Sequence, residues 1–238
     1  MQGTSRRSFL AITFGALANP TITSAQQKEE APSVLDHILL GCNDLDRGIA
    51  FVEEHTSVRA AFGGVHPGRG TRNALVSLGD KQYLEIIAPD PQQTRAADFR
   101  NLRNLAEPRL VGWAVHPDDL DAFATRLRNV GIAFEGPTPG SRKRPDGRML
   151  HWKTLNLNDD HAGLFPFFIE WSADSVHPSA DAPAGCKIVR FEMSGPDAGE
   201  LTRLSTLLQL GVPVQESDKQ QLHAKIAGPS GKVMDVTS

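Results

Sequence analysis

The chain has 238 residues, of which 39% are hydrophobic and 22% charged, enough apolar material for a buried core and too much for a disordered protein. Twenty-five Lys and Arg against 28 Asp and Glu give a net charge of −3, without the concentrated basic excess of a nucleic-acid binder. Two cysteines exclude a disulfide-dense scaffold.

The first 25 residues read as a targeting segment. Ser5-Arg6-Arg7-Ser8-Phe9-Leu10 puts paired arginines one residue ahead of Phe-Leu, an apolar stretch runs from Leu10 to Ile22, and Thr23-Ser24-Ala25 supplies the small residues of a cleavage point. The segment resembles a twin-arginine signal peptide. The resemblance implies a client of the twin-arginine export machinery, cleaved near Ala25 and delivered to the periplasm. The apolar stretch, broken at Asn19-Pro20, is too short for stable membrane insertion. Residues 26–33 are polar and read as a linker.

From Val34 to Cys42 the chain is a strongly apolar strand candidate, and Asn43-Asp44 caps a helix over Leu45 to His55. A turn rich in glycine (Gly63, Gly64, Gly68, Gly70) precedes two strands, Asn73–Leu78 and Tyr83–Ala88, separated by Gly79-Asp80, with room for a further short strand at Ala60–Phe62. The pattern then recurs. Leu110–His116 is a strand, Pro117-Asp118-Asp119 opens a helix over Leu120 to Val130 that Gly131 ends, and strands follow at Met149–Leu157 and Phe165–Trp171. A shift of 75 residues lays Asp44-Leu45-Asp46 over Asp119-Leu120-Asp121 at the same strand-to-helix junction. A shorter third copy is predicted from Lys187–Met193, a helix over Ala198 to Leu208, and strands at His223–Ile226 and Lys232–Val236. The expected organisation is a domain over 34–180, with modules 34–90 and 109–173, and a third module over 186–238 packed on it.

One feature of chemistry recurs with the elements. An acid interrupts an apolar strand at Glu85, at Glu170 and at Asp235. A carboxylate there is costly to bury unless it is paired or binds a cation. Period-two alternation puts Tyr83, Glu85 and Ile87 on one sheet face, where Glu85 points into a concavity, faces solvent from an edge strand, or pairs with an arginine such as Arg72 or Arg148. His37 lies on the first strand. The run from Ser141 to Arg148 holds four cations in eight residues and is expected to be a loop, drawing an anionic substrate or simply solvated. Cys42 and Cys186 form either one disulfide or two buried thiols.

Leu35-Asp36-His37-Ile38, the turn Gly70-Thr71-Arg72-Asn73-Ala74-Leu75 and Tyr83-Leu84-Glu85-Ile86-Ile87 together resemble the glyoxalase-like domain family of the vicinal oxygen chelate superfamily. Gly112-Trp113, Arg144-Pro145-Asp146-Gly147 and Phe167-Phe168-Ile169-Glu170-Trp171 fit the same family. The resemblance covers roughly residues 34–236. It implies an α+β fold in which repeated βαβββ modules enclose a cup, and a divalent ion (zinc, nickel, manganese or iron) held by first- and last-strand side chains of each module. On that pattern the metal ligands are His37, Glu85 and Glu170, while the fourth position falls on Gly112, which cannot ligate. His151 is a replacement ligand or a substrate contact if it faces the cup. Arg72, Asn73 and Arg148 are the other substrate contacts, and Glu170 is the base. His66 lines the cup mouth and His116 is structural. The implied activity is lyase or isomerase chemistry on a small oxygenated molecule. Ring-opening dioxygenation uses two histidines and a glutamate around iron, and only one of those histidines is matched. The rival reading is a non-catalytic protein that sequesters a small ligand in the same cup. A homodimer is compatible with either.

Overall fold

The computed structural model describes residues 32–93 and 99–238, so the expected signal peptide lies outside the described residues. The first module is β1 (Leu35–Gly41), α1 (Leu45–Thr56), β2 (Ala61–His66), β3 (Thr71–Gly79) and β4 (Gln82–Pro89). Every residue of β1 is buried, as a strand covered on both faces requires. Asp44 caps α1 by accepting the Arg47 N–H, and Ser57 ends it in the left-handed conformation. Because β1 pairs with β4 in parallel, the chain must cross over between them, and α1 begins that crossing.

The second module repeats this order as β5 (Arg109–Val115), α2 (Leu120–Asn129), β6 (Phe134–Lys143), β7 (Met149–Leu157) and β8 (Phe167–Trp171). Asp119 caps α2 as Asp44 caps α1. β1 and β5 pair antiparallel and fuse the two modules into one sheet of order β2-β3-β4-β1-β5-β8-β7-β6. The sheet curls until its edges β2 and β6 approach, and there Arg142 donates from Nη1 to the Gly63 carbonyl. β6 corrects the expectation of a loop at 141–148: Ser141 to Lys143 complete the strand, and only Arg144 to Arg148 form the turn into β7. Pro137, Pro139 and Gly140 hide this strand in the sequence, and such residues are tolerated because β6 is an edge.

After the short helix α3 (Pro178–Asp181), the C-terminal unit runs β9 (Lys187–Gly195), α4 (Ala198–Leu207), β10 (Val214–Glu216), β11 (Gln221–Ala227) and β12 (Val233–Thr237). It keeps the element order of the modules but pairs differently. Its sheet is β10-β9-β11-β12, and the parallel partner of β9 is β10, the first strand after the helix rather than the last. This unit packs on the convex face of the large sheet, where Trp113 of β5 meets Phe191 of β9 edge-on at 5.0 Å. Trp113 is fully buried and donates from Nε1 to the Leu164 carbonyl at 2.8 Å. Gly228 lies so close to the Thr56 carbonyl that no Cβ fits.

Cys42 and Cys186 are free buried thiols. Cys42 touches Gly48 in the first turn of α1, whereas Cys186 hydrogen-bonds to Thr56 in the last, so the helix separates them. Burial pushes the Cys42 thiol up to about 12. Among the described residues no helix is long and apolar enough to cross a membrane.

Trp113→Ala removes a buried indole from the junction of both sheets and is expected to cost about 3–5 kcal/mol of unfolding free energy. Chemical denaturation followed by circular dichroism measures it; a loss under ~1 kcal/mol contradicts this account of the core.

Candidate functional site

The concave face of the large sheet encloses a cavity of about 330 Å³. Strand alternation selects its lining: Tyr83, Glu85 and Ile87 from β4, and Phe167, Ile169 and Trp171 from β8. Leu39, Ile87 and Phe167 form an apolar floor, with Val111 packed against them.

Glu85 is the polar centre. Its Oε1 accepts from Asn73 Nδ2 at 2.7 Å, its Oε2 lies 3.5 Å from His37 Nε2, and His66 Nε2 stands 3.6 Å from Oε1. Burial alone raises the Glu85 carboxyl, but His66, His37, the Asn73 hydrogen bond and Arg142 outweigh it and hold the group below its ordinary value. Burial lowers His66, whose Nδ1 is shared with the Thr71 hydroxyl at 2.8 Å.

His37 is clamped from behind. The β1–β5 register slips between Leu35 and His37, and Asp36 turns its carboxylate onto His37 Nδ1 at 2.6 Å. Asp36 is 1% exposed. Its other oxygen accepts from Trp171 Nε1 at 3.0 Å and His177 Nε2 at 3.2 Å, with His116 at 3.7 Å. Burial raises Asp36, yet the hydrogen bonds from His177 and His37 and their charges hold it well below the usual carboxylate range. An ionised Asp36 can only accept, so the His37 proton sits on Nδ1 and Nε2 is turned to the cup. Tyr83 stacks on the imidazole at 4.5 Å, and Phe167 meets its edge at 5.4 Å. The Tyr83 phenol is pushed well above its ordinary value by burial and by Asp36 and Glu85, and remains a donor.

Of the residues expected here, the structure gathers His37, Asn73, Glu85 and His66. Glu170 is not among them. It points to the other face of β8, accepts the Leu120 N–H at 2.8 Å at the start of α2 and lies 3.8 Å from Lys153. Strand pairing explains the error. The 75-residue shift matches Leu39 to Ala114; Leu39 pairs with Glu85 and Ala114 with Phe167, so Phe167, not Glu170, is the counterpart of Glu85. Arg72 lies between the cup-facing Thr71 and Asn73 and faces away, close enough to Asp90 to stabilise its charge. His151 alternates with the cup-facing Trp152, is 43% exposed and lies 3.4 Å from Asp174. Arg148 is outside the cup, bound to Asp146 at 2.6 Å and Asp181 at 2.9 Å. Sequence reasoning passed over Asp36, although an acid beside His37 in an apolar strand is the same signal that marked Glu85. It also missed Arg142, which the loop reading hid.

A metal centre of the kind expected does not fit these residues. Module one supplies His37 and Glu85, but the matching positions of module two are Gly112 and Phe167, and Asn73 already engages one Glu85 oxygen. The expected set of His37, Glu85 and Glu170 is not brought together, since Glu170 lies on the other face of β8 at the start of α2.

A family model described as a glyoxalase-like domain matches residues 35–208. A hypothetical protein from Staphylococcus aureus superposes with a TM-score of 0.60 at 17% identity, covering 85% of this chain and 84% of that one, which shows the shared fold. Methylmalonyl-CoA epimerases align more partially. The Mycobacterium tuberculosis enzyme gives a TM-score of 0.43 at 20% identity over 60% of this chain and 89% of its own. The Streptomyces coelicolor enzyme gives 0.45 at 22% over 61% and 99%. No curated protein matches in sequence.

Because Asp36 and Glu85 are both held below their ordinary values when folded, their contribution to stability is complete above the unfolded carboxylate range, near pH ~4, and is lost as pH falls below it. Asp36→Asn should flatten the acid limb of a stability-against-pH curve, measured by thermal unfolding between pH 7 and 3. An unchanged acid limb would show that the Asp36 network does not hold its charge.

Proposed function

Because the chain belongs to the glyoxalase-like domain family, we propose that its cup binds a small oxygenated molecule and isomerises it by proton transfer that needs no metal. The supporting observation is the pair Glu85 Oε2 and His37 Nε2, 3.5 Å apart on one wall with Asp36 behind the imidazole. Glu85, ionised, takes a proton from a carbon next to a carbonyl. The electrons of the C–H bond move to the carbonyl oxygen, and the Tyr83 phenol, which also lines the cup, donates a hydrogen bond to it. Glu85 then returns that proton to the neighbouring carbon, while the bare Nε2 of His37 takes the hydroxyl proton of the enediolate and passes it to the former carbonyl oxygen, so that the carbonyl and the hydroxyl exchange places. Both groups stand on the same side of the substrate, which suits a shift of the proton along one face rather than inversion at one carbon.

The test is exchange of substrate C–H for deuterium in D2O, followed by NMR over a panel of α-hydroxy aldehydes and ketones. Glu85→Gln should lower exchange by about 10²–10⁴-fold, and chelator treatment should leave it unchanged. A stoichiometric divalent ion lost in both His37→Ala and Glu85→Ala would replace this reading with metal-assisted chemistry. The missing ligands at Gly112 and Phe167 favour the second reading, a sequestering protein; ligand binding with no exchange by the wild type would establish it.

We also propose export to the periplasm on the strength of Arg6-Arg7. Replacing both with Lys should leave the uncleaved chain in the cytoplasm, as fractionation reads; continued export would refute the twin-arginine route.

A further inference from the structure

Opposite Glu85, the cup wall built by β6, β7 and β8 carries no acid and no imidazole. It offers a cation instead. Arg142 is only 6% exposed, and its one hydrogen bond to a described residue is the Nη1 contact with Gly63. No described carboxylate comes within ion-pairing distance of it, whereas its neighbours Arg144 and Arg148 are both paired with Asp146 and Asp181. Burial pulls the guanidinium down while Glu85 supports its charge. The space it occupies is built for it: Gly64 holds a φ of 141°, and a Cβ there would strike Arg142 Nη1. A buried guanidinium without a counter-ion is costly. With Nη1 used, the Nε–Nη2 edge remains, a two-donor fork that matches one carboxylate.

The same wall is aromatic. Trp152 pairs across the strands with Gly140 on one side and Trp171 on the other. A Cβ at Gly140 would lie 2.5 Å from the Trp152 indole, so glycine lets the ring lie against β6. The two indoles are 5.6 Å apart with their planes inclined at 59°, so they form an angled corner, and the Trp171 ring is fixed by its hydrogen bond to Asp36.

We propose that the ligand of the cup is a planar aromatic or conjugated carboxylate, its carboxylate on Arg142 and its flat body stacked on the Trp152 indole with the inclined Trp171 ring at its edge. This rests on the proposed function in naming the cup as the ligand site, and it places the reacting carbon toward Glu85 on the far wall.

Calorimetric titration of the mature chain with 2-naphthoate and 2-naphthamide isolates the charge, since the two probes share one shape. The wild type should bind the carboxylate at least about tenfold more tightly than the amide. Arg142→Gln should erase that preference while leaving amide affinity within about twofold, which also shows that the cup is intact. Arg142→Lys, which keeps the charge without the fork, should retain only part of the preference, and it carries the test if the Gln variant does not fold. Trp152→Ala should weaken both probes together. Equal binding of the two probes by the wild type, or a preference that survives in Arg142→Gln, overturns the proposal. Charge preference absent while deuterium exchange persists removes the anchor alone. Preference present with no exchange in any substrate removes only the isomerase reading.

Discussion

The Asp36 carboxyl is only 1% exposed, and the rest of the site follows from how its charge is satisfied. Four side chains converge on it, each from a different element: His37 beside it on β1, His116 just past β5, Trp171 on β8, and His177 at the cap of α3. Isolated, such a carboxylate would be expelled or protonated. Surrounded by donors, it becomes a fixed point that orients the imidazole on one wall and an indole on the other. The register slip in β1 makes this possible, because regular alternation would send Asp36 and His37 to opposite faces.

The fold is a duplicated backbone with unequal side chains. The strand pairings of the two modules correspond, and equivalent aspartates cap their helices. The inward positions have diverged: module one carries His37, His66, Asn73 and Glu85, while module two carries Arg142, Thr154, Phe167 and the two tryptophans. One wall is thus suited to moving protons and the other to holding a molecule still. Symmetry of the chain path does not imply symmetry of ligands, which is why a four-ligand metal set transferred by analogy finds only half its members.

Much of the architecture was legible in the sequence because its signals are local. The Asp44 and Asp119 caps, the apolar β1 and β5 and the alternation that turns Glu85 inward all depend on near neighbours along the chain. What was misread depended on pairing. Glu170 looked equivalent to Glu85 as an acid in a last strand, but the β5–β8 register assigns that place to Phe167. Arg142 sat in a Pro- and Gly-rich stretch with no strand signal of its own; partnership with β7 makes that stretch β6. The C-terminal unit repeated the order of elements, and only its hydrogen bonding reveals a different sheet.

Both halves of the cup are carried by one polypeptide, joined through the β1–β5 pairing, with the C-terminal sheet covering the outer surface behind that seam. Assembly of the cavity is therefore a unimolecular event. Dilution cannot take its walls apart, and a damaging substitution in either wall cannot be masked by an intact neighbouring subunit.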